Sequence, residues 1–290
     1  MLLTLELKSE GRDPKAEGNP KSDGRNPKVG RNVHSPYQTG RPAVSDSALR
    51  ISAFLRPSVF GLRIFLAALL LPLCTPRSSG ENWSCWRGPR LDGTSHEKGV
   101  PVYWSATSNV VWKTELPGLG HASPIVWGDR VFAVTALPEA QERLLLCLDR
   151  RTGKVLWQQT VLTTPLERKH GLNSFASSTP ATDGELVYVA FQDGDRMFAA
   201  AYDFTGRQRW AARPGPFASM HGFCTSPILY RDKVILNGDH DGESYLVALS
   251  RTDGRVLWKT PRENRTRSYC APLIRPMGGR QQMVLAGDKC

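Results

Sequence analysis

The feature that most constrains the fold of this chain is a short turn segment that the sequence repeats. In each copy a turn ends in Gly, and Trp follows four positions later. Gly at the end of such a turn supplies the positive φ that other residues adopt only at a cost. Because one local unit recurs, we interpret the chain as an array of structural repeats. The three copies are Gly153 with Trp157, Gly206 with Trp210, and Gly254 with Trp258.

Two independent markers, a strand-opening Pro and a Trp, recur with nearly the same period. Between successive markers, short apolar runs alternate with turns, and no stretch after residue 80 has helical periodicity. Four short strands in about 45 residues are typical of one blade of a β-propeller. The prolines that open apolar strands are Pro124, Pro180, Pro227 and Pro272, spaced by 56, 47 and 45 residues. The tryptophans are Trp112, Trp157, Trp210 and Trp258, spaced by 45, 53 and 48 residues.

This pattern predicts an all-β fold, a β-propeller of four-stranded antiparallel blades over residues 81–290. The chain supplies about three and a half blades, because a fourth unit opens near Pro272 and the sequence stops at Cys290. One blade cannot bury both of its faces, so each blade must stack on its neighbours. We therefore expect an incomplete propeller, truncated at the C-terminus or part of a longer protein. Self-assembly of two half-rings is the alternative.

The first repeated turn also carries a family resemblance. The pattern Asp149, Thr152, Gly153, Lys154 and Trp157 resembles the blade signature of pyrroloquinoline-quinone-like (PQQ-like) β-propellers. That family includes quinoprotein alcohol dehydrogenases and the propeller lipoprotein of outer-membrane protein assembly. Segments 82–89 and 120–124 are also similar to exported propellers of Planctomycetes type. The resemblance implies that the Trp residues dock between adjacent blades, at Trp112, Trp157, Trp210 and Trp258, and that Gly153, Gly206 and Gly254 serve as turn residues.

The sequence before the repeats divides into two parts. Residues 1–55 form a basic extension, rich in Gly, Pro and Ser, that we expect to be disordered. Residues 56–80 contain an apolar run, 64–73, behind Arg63, which is typical of a signal peptide or a membrane anchor. Its distance from Met1 favours a translation start near Val59 or Leu62. Lipidation of Cys74 is an alternative. We expect an exported protein, whether periplasmic, secreted or associated with the membrane through this segment.

Charge and cysteine content exclude some classes of function. Residues 1–80 hold 12 Lys and Arg against 6 Asp and Glu, so they carry about half of the formal net charge of +11. Beyond them no basic stripe is present, and we therefore predict no nucleic-acid partner. The six cysteines show no C-x-x-C spacing, which argues against a redox or zinc motif.

Candidate binding residues lie in the loops that enter the first strand of each blade. In a propeller the first strand lines the central channel, so these loops gather at the channel mouth. We expect four polar side chains to converge there and bind a protein partner or a small ligand. We interpret the oxygen-rich loop 237–242 as a solvated hairpin turn rather than a calcium site, and we predict no metal site. The four candidates are His121, Asn173, His221 and Arg267.

The sequence favours a binding scaffold over an enzyme. No catalytic residue is predicted, and the scaffold reading needs no cofactor. The first alternative, implied by the resemblance, is a dehydrogenase that depends on PQQ and calcium. However, the chain has no adjacent Cys pair, and no position matches that family's catalytic Asp or metal ligands. The second alternative is the sensor domain of a larger, kinase-linked protein.

Overall fold

The structure is a computed structural model that describes residues 2–7, 80–263, 265 and 267–287. Every regular element in these ranges is a β-strand. No helix that could span a membrane was found in the part of the chain that the structure describes. The predicted signal segment and Cys74 lie outside the described residues.

Three four-stranded antiparallel sheets follow one another along the chain, and we call them Blades 1 to 3. Each is a meander in which consecutive strands pair. Blade 1 comprises β3 (Ile125–Trp127), β4 (Arg130–Leu137), β5 (Glu142–Asp149) and β6 (Val155–Thr163). Blade 2 comprises β7 (Ala181–Thr182), β8 (Leu186–Asp193), β9 (Arg196–Asp203) and β10 (Gln208–Pro216). Blade 3 comprises β11 (Ile228–Tyr230), β12 (Lys233–Gly238), β13 (Tyr245–Ser250) and β14 (Val256–Pro261).

Two further pairs flank these blades. A two-stranded sheet, β15 (Leu273–Met277) with β16 (Arg280–Val284), stands in the position of a fourth blade. Before Blade 1, β2 (Val110–Leu116) pairs in parallel with β1 (Leu2–Leu7). The prediction of an all-β fold built from four-stranded antiparallel propeller blades is thus confirmed. The strand β1 falls within the extension expected to be disordered, and that expectation stays a prediction for residues 8–55, which lie outside the described residues.

The burial of each strand follows its place in the blade. The second and third strands of Blade 1, β4 and β5, have six consecutive buried residues each, whereas the fourth strand β6 is largely exposed until Val161. A strand in the middle of a blade is covered on both faces by neighbouring blades. Its sequence is therefore an unbroken apolar run rather than an alternating one. Leu144–Leu148 is such a run, and all five residues are at most 1% exposed.

The apolar cores lie between successive blades. Phe132 and Leu145 of Blade 1 share a cluster with Val189 and Phe198 of Blade 2. Corresponding clusters join β2 to Blade 1, Blade 2 to Blade 3, and Blade 3 to β15 and β16. Each blade is therefore stabilised mainly by its immediate neighbours, as in other repeat proteins.

A line of hydroxyl groups also connects the blades. In Blades 1 to 3 the residue before the strand-opening Pro carries a hydroxyl, at Ser123, Thr179 and Ser226. The backbone N–H of Ser123 donates to Thr179 Oγ1 at 3.1 Å, and the N–H of Thr179 donates to Ser226 Oγ at 3.0 Å. At the corresponding position before Pro272 the residue is Ala271, which has no hydroxyl. We call these contacts the hydroxyl ladder.

The segment 80–93 crosses the inner strands of several blades. Trp83 forms an antiparallel bridge with Val126 of Blade 1, and Ser84 O accepts a hydrogen bond of 2.8 Å from the N–H of Thr182 in Blade 2. Further along, Asp92 lies 3.5 Å from the guanidinium of Arg275 in β15. We call this segment the strap, because it links successive inner strands that are far apart in sequence.

Candidate functional site

Each blade joint is built from a Trp and the turn of the following blade. The indole N–H of Trp112 donates to Arg150 O at 2.8 Å, and its ring lies against Gly153, where a Cβ atom would come within 2.4 Å of the indole. Trp157 repeats the contact with Phe204 O and Gly206, and Trp210 repeats it with Arg251 O and Gly254. The three turn glycines have φ of 73°, 88° and 73°. The repeated motif therefore joins blades and does not itself line a ligand site.

Trp258 occupies the same position in Blade 3. Its half-buried ring packs in the cluster that includes Ile274 and Met283, on the side of β15 and β16. It thus belongs to the cluster between Blade 3 and the next element, but among the described residues it makes no hydrogen bond to a following turn, unlike the other three tryptophans.

A cavity of about 330 Å³ opens where the loops entering β7, β11 and β15 meet. These loops lead into the first strands of Blades 2 and 3 and into β15, which is where the propeller pattern of the sequence predicts a channel mouth. We call it the mouth cavity. Two of the four predicted binding residues line it. The lining residues are His170, Leu172, Asn173, His221, Cys224 and Tyr269.

Asn173 holds two of these loops together. Its side-chain Nδ2 donates to His221 O at 2.7 Å, and its Oδ1 accepts from the Ser177 hydroxyl at 2.6 Å and from the Ser174 N–H at 2.8 Å. With these bonds made, Asn173 shapes the cavity and has little hydrogen-bonding capacity left for a ligand.

The aromatic and imidazole rings form the cavity wall. The rings of His170 and His221 lie 5.5 Å apart at 79°, and His221 lies 6.0 Å from the Tyr269 ring. The N–H of Leu172 donates to His170 Nδ1 at 3.2 Å. In the neutral form His170 therefore carries its proton on Nε2, which is a hydrogen-bond donor.

The other two predicted residues do not line the cavity. His121 belongs to the loop of Blade 1, where its backbone N–H donates to Ala176 O at 3.0 Å and its side chain is exposed. Arg267 is bound by Asp241, with its Nε 3.0 Å from Oδ1. The expected convergence of four side chains is thus reduced to Asn173 and His221. His121 is exposed outside the lining, and an ion pair with Asp241 holds Arg267.

Cys224 and Tyr269 were missed by the sequence interpretation. Both stand three positions before a strand-opening Pro, the same register as His121, and this shared offset is the signal that could have found them. Burial raises the pKa of the Cys224 thiol to about 12, so it stays protonated at neutral pH and is a poor nucleophile. Burial also raises the pKa of Tyr269. Both side chains thus enter the site as neutral groups.

A buried ion pair anchors the loop that carries His170 and Asn173. The guanidinium of Arg143 in β5 binds the carboxylate of Glu167, and their side chains are 0% and 2% exposed. Arg143 also lies over the ring of Phe175, 5.4 Å from its centroid. Burial raises the pKa of Glu167 although Arg143 favours its charged form. Arg143 thus contacts the loop on both sides of the lining residues, at Glu167 before them and at Phe175 after them.

The loop 237–242 is not the solvated turn predicted from its polar sequence. Asn237, Asp239 and His240 are at most 3% exposed. Asp239 binds Arg262 at 2.7 Å, and Asp241 binds Arg267. The prediction of solvation was wrong because these two partners lie outside the loop, beyond β14, and no local pattern reveals them.

Calcium and PQQ, which the resemblance implies, would need ligands in the lining of the mouth cavity. None of its residues is a carboxylate, which calcium prefers, and the amide of Asn173 is already bonded. Among the described residues no group of three His, Cys, Asp or Glu side chains could hold a metal. The lining residues thus do not fit a site in which calcium holds the quinone.

Comparison with known proteins gives the family. The model of the family described as "Outer membrane protein assembly factor BamB" matches residues 94–195 and 141–289. No curated protein matches the chain. Among solved structures, a europium-containing methanol dehydrogenase is similar, with 19% identity and a TM-score of 0.37 over 49% of this chain and 25% of that one. BamB from Moraxella catarrhalis has 21% identity and a TM-score of 0.34 over 52% of this chain and 44% of that one.

The chain thus spans a quarter of the length of the methanol dehydrogenase and less than half of the length of the Moraxella BamB. The family match rests on the sequence that builds the blades, and the blade joints described above show how that sequence is used. On this basis the chain belongs to the PQQ-like β-propeller family whose model is described as outer membrane protein assembly factor BamB.

Proposed function

We propose that this protein is an exported, non-catalytic binding module that holds a protein partner at the mouth cavity. The observation that carries the proposal is the cavity itself, with exposed apolar side chains on its loops. Leu172 is 84% exposed, Met220 43% and Tyr269 41%. Large apolar side chains left exposed beside a concave site are typical of interaction surfaces.

The chemistry of the lining favours an uncharged side chain of the partner. None of the six lining residues is Asp, Glu, Lys or Arg. The His170 Nε2–H offers one donor, and the rings of His221 and Tyr269 offer flat apolar surface. An aromatic residue with a polar tip, such as Tyr or Trp, matches this combination.

A peptide selection tests the binding proposal. Peptides selected on the full chain from a displayed library would be measured by calorimetry against Leu172→Ser and Tyr269→Ser. We expect binding at least about tenfold weaker, equal to about 1.4 kcal/mol. Val155→Ser, an exposed change on the outer strand β6, is the matched control and should have no effect. Binders that are insensitive to both cavity variants would contradict the proposal.

A second arm tests the non-catalytic part. The full chain would be incubated with PQQ and Ca²⁺ and assayed for dye-linked oxidation of alcohols and sugars. We expect no cofactor-dependent turnover. Turnover that requires both additions would replace the scaffold function with a dehydrogenase function.

The family description supports the exported location. It names an outer membrane protein assembly factor, which acts outside the cytoplasm. Residues 1–80 fused to alkaline phosphatase, which is active only after export, should give activity in a bacterial host. Leu70→Arg, which interrupts the apolar run, should abolish that activity. Equal activity of the two fusions would contradict export through this segment.

A further inference from the structure

The loop between β12 and β13 folds back onto the segment that carries His221. His240, in the middle of this loop, is 3% exposed. Its ring lies 5.5 Å from the ring of Phe217 and 6.1 Å from the ring of Tyr245. Burial of an imidazole in this way favours its neutral form.

The hydrogen bonds of His240 require a neutral ring. The backbone N–H of Ala218 points at Nδ1, 3.3 Å away, so Nδ1 must be an acceptor. Nε2 lies 3.2 Å from Glu243 O, an acceptor only, so the proton is on Nε2. Protonation of Nδ1 would place two N–H groups against each other and break the contact with Ala218.

The same loop makes two more bonds to this segment. The N–H of Asp241 donates to Ala218 O at 2.8 Å, and Asp241 Oδ2 accepts from the N–H of Met220 at 2.9 Å. The next residue, His221, lines the mouth cavity. His240 and Asp241 therefore hold one of the three loops that form the site.

We propose that His240 is a pH-sensitive latch, which fixes the 217–222 segment at the mouth cavity near neutral pH and releases it on acidification. The inference extends the proposed function, because release would disturb the binding site. Its test does not depend on that function, since it measures the segment itself.

The charged groups around His240 set the direction of the response. Burial lowers the pKa of His240, and Lys259 adds to this effect, whereas the Asp241 carboxylate opposes it. Since the folded pKa lies below the ordinary value of 6.5, the latch is fully stable above that value. It loses stability as the pH falls from 6.5 toward the lowered folded pKa. Asp239 also faces His240 and forms an ion pair with Arg262. Burial raises the pKa of Asp239.

Hydrogen exchange of the full chain, read by mass spectrometry, tests the latch. After correction for the intrinsic effect of pH, the 217–222 segment should exchange faster near pH 5.5 than near pH 7.5, by up to about tenfold, which is the limit for one His with an unfolded pKa of 6.5. His240→Asn keeps an acceptor oxygen near the Nδ1 position but cannot titrate, so its exchange should not respond to pH. Asp239→Asn, which removes another titrating group that faces His240, should respond as the wild type does.

Three results would overturn the latch. The first is a wild-type segment that exchanges equally at both pH values. The second is a response that persists in His240→Asn. The third is a response that disappears in His221→Asn, because it would then originate in the imidazole pair with His170. If His240→Asn does not fold, the tautomer of His240 in the wild type, measured by nitrogen NMR, decides. A proton on Nδ1 at neutral pH would contradict the latch.

Discussion

At the scale of single residues, the turn glycines meet two requirements at once. Gly153 has a positive φ, and it also lies flat against the indole of Trp112. Gly128, in the hairpin turn between β3 and β4, has a positive φ of 53° but nothing within 4 Å of the place of a Cβ atom. A substitution of Gly128 therefore measures backbone strain alone, whereas a substitution of Gly153 measures backbone strain together with steric overlap.

This difference gives the first prediction. Gly128→Ala should lower the free energy of unfolding by about 1 kcal/mol, the cost of a non-Gly residue in the left-handed region. Gly153→Ala should lower the free energy of unfolding by about 1–3 kcal/mol more than Gly128→Ala does, because its methyl group would overlap the Trp112 ring. Urea unfolding of both variants measures the difference. Equal losses would show that the indole moves aside freely.

The second prediction concerns the buried pair of Arg143 and Glu167. Arg143→Met should cost about 3–5 kcal/mol, since it leaves the Glu167 carboxyl buried without its cation. The double variant Arg143→Met with Glu167→Gln should recover part of this loss. Arg213→Met, which removes a partly exposed partner of Asp193, should cost about 1 kcal/mol or less. A double-mutant cycle of Arg143 and Glu167, measured by urea unfolding, checks this prediction. Equal losses of stability in Arg143→Met and Arg213→Met would contradict it.

At the scale of elements, the spacing of Trp and Gly was enough to predict the blades. The prediction succeeded because each Trp contacts the turn of the following blade in the same way, so the spacing of the two residues repeats along the sequence. The mouth cavity was predicted only in part, since its lining depends on which loops face one another. Asn173 and His221 were predicted, but Tyr269 was not, because its position three residues before Pro272 becomes a signal only when it is compared with His121 and Cys224 at the same offset. The burial of His240 depends on distant partners and could not be inferred.

The hydroxyl ladder gives a prediction at the same scale. Thr179→Val keeps the shape of the side chain but leaves the partly buried N–H of Ser123 without its acceptor. We expect a loss of about 1–3 kcal/mol in the free energy of unfolding. Thr163→Val, at an exposed position in β6, is the control and should change stability by less than about 0.5 kcal/mol. Urea unfolding of both variants measures the difference. Equal unfolding midpoints would show that the hydroxyl ladder contributes little to stability.

At the scale of the whole molecule, the strap ties blades together and carries a carboxylate with a strongly shifted pKa. A side-chain hydrogen bond from Arg90, followed by bonds from Ser95 and His96, lowers the pKa of Glu81 to about 2. Because the folded pKa lies below the ordinary value of 4.5, its contribution to stability is present above pH 4.5 and is lost as the pH falls toward 2.

Acid titration of Glu81→Gln tests this contribution. At neutral pH the variant should be less stable than the wild type, and the gap should close as the pH falls from 4.5 toward 2. Unfolding by urea at a series of pH values measures the gap. Glu139→Gln, at an exposed position with no bonded partner among the described residues, is the control. A gap that stays constant with pH would mean that Glu81 acts only by its shape.

The absence of a hydroxyl at Ala271 has a consequence for how the array comes apart. In a linear array the weakest junction decides where unzipping begins. The junction between Blade 3 and β15 lacks this rung and is bridged instead by Asn237, whose Nδ2 donates to Cys270 O at 3.2 Å. Most residues of β16 are exposed. Fraying should therefore start at this junction and move backward, so that the partial fourth blade is lost before the other blades open as one cooperative unit.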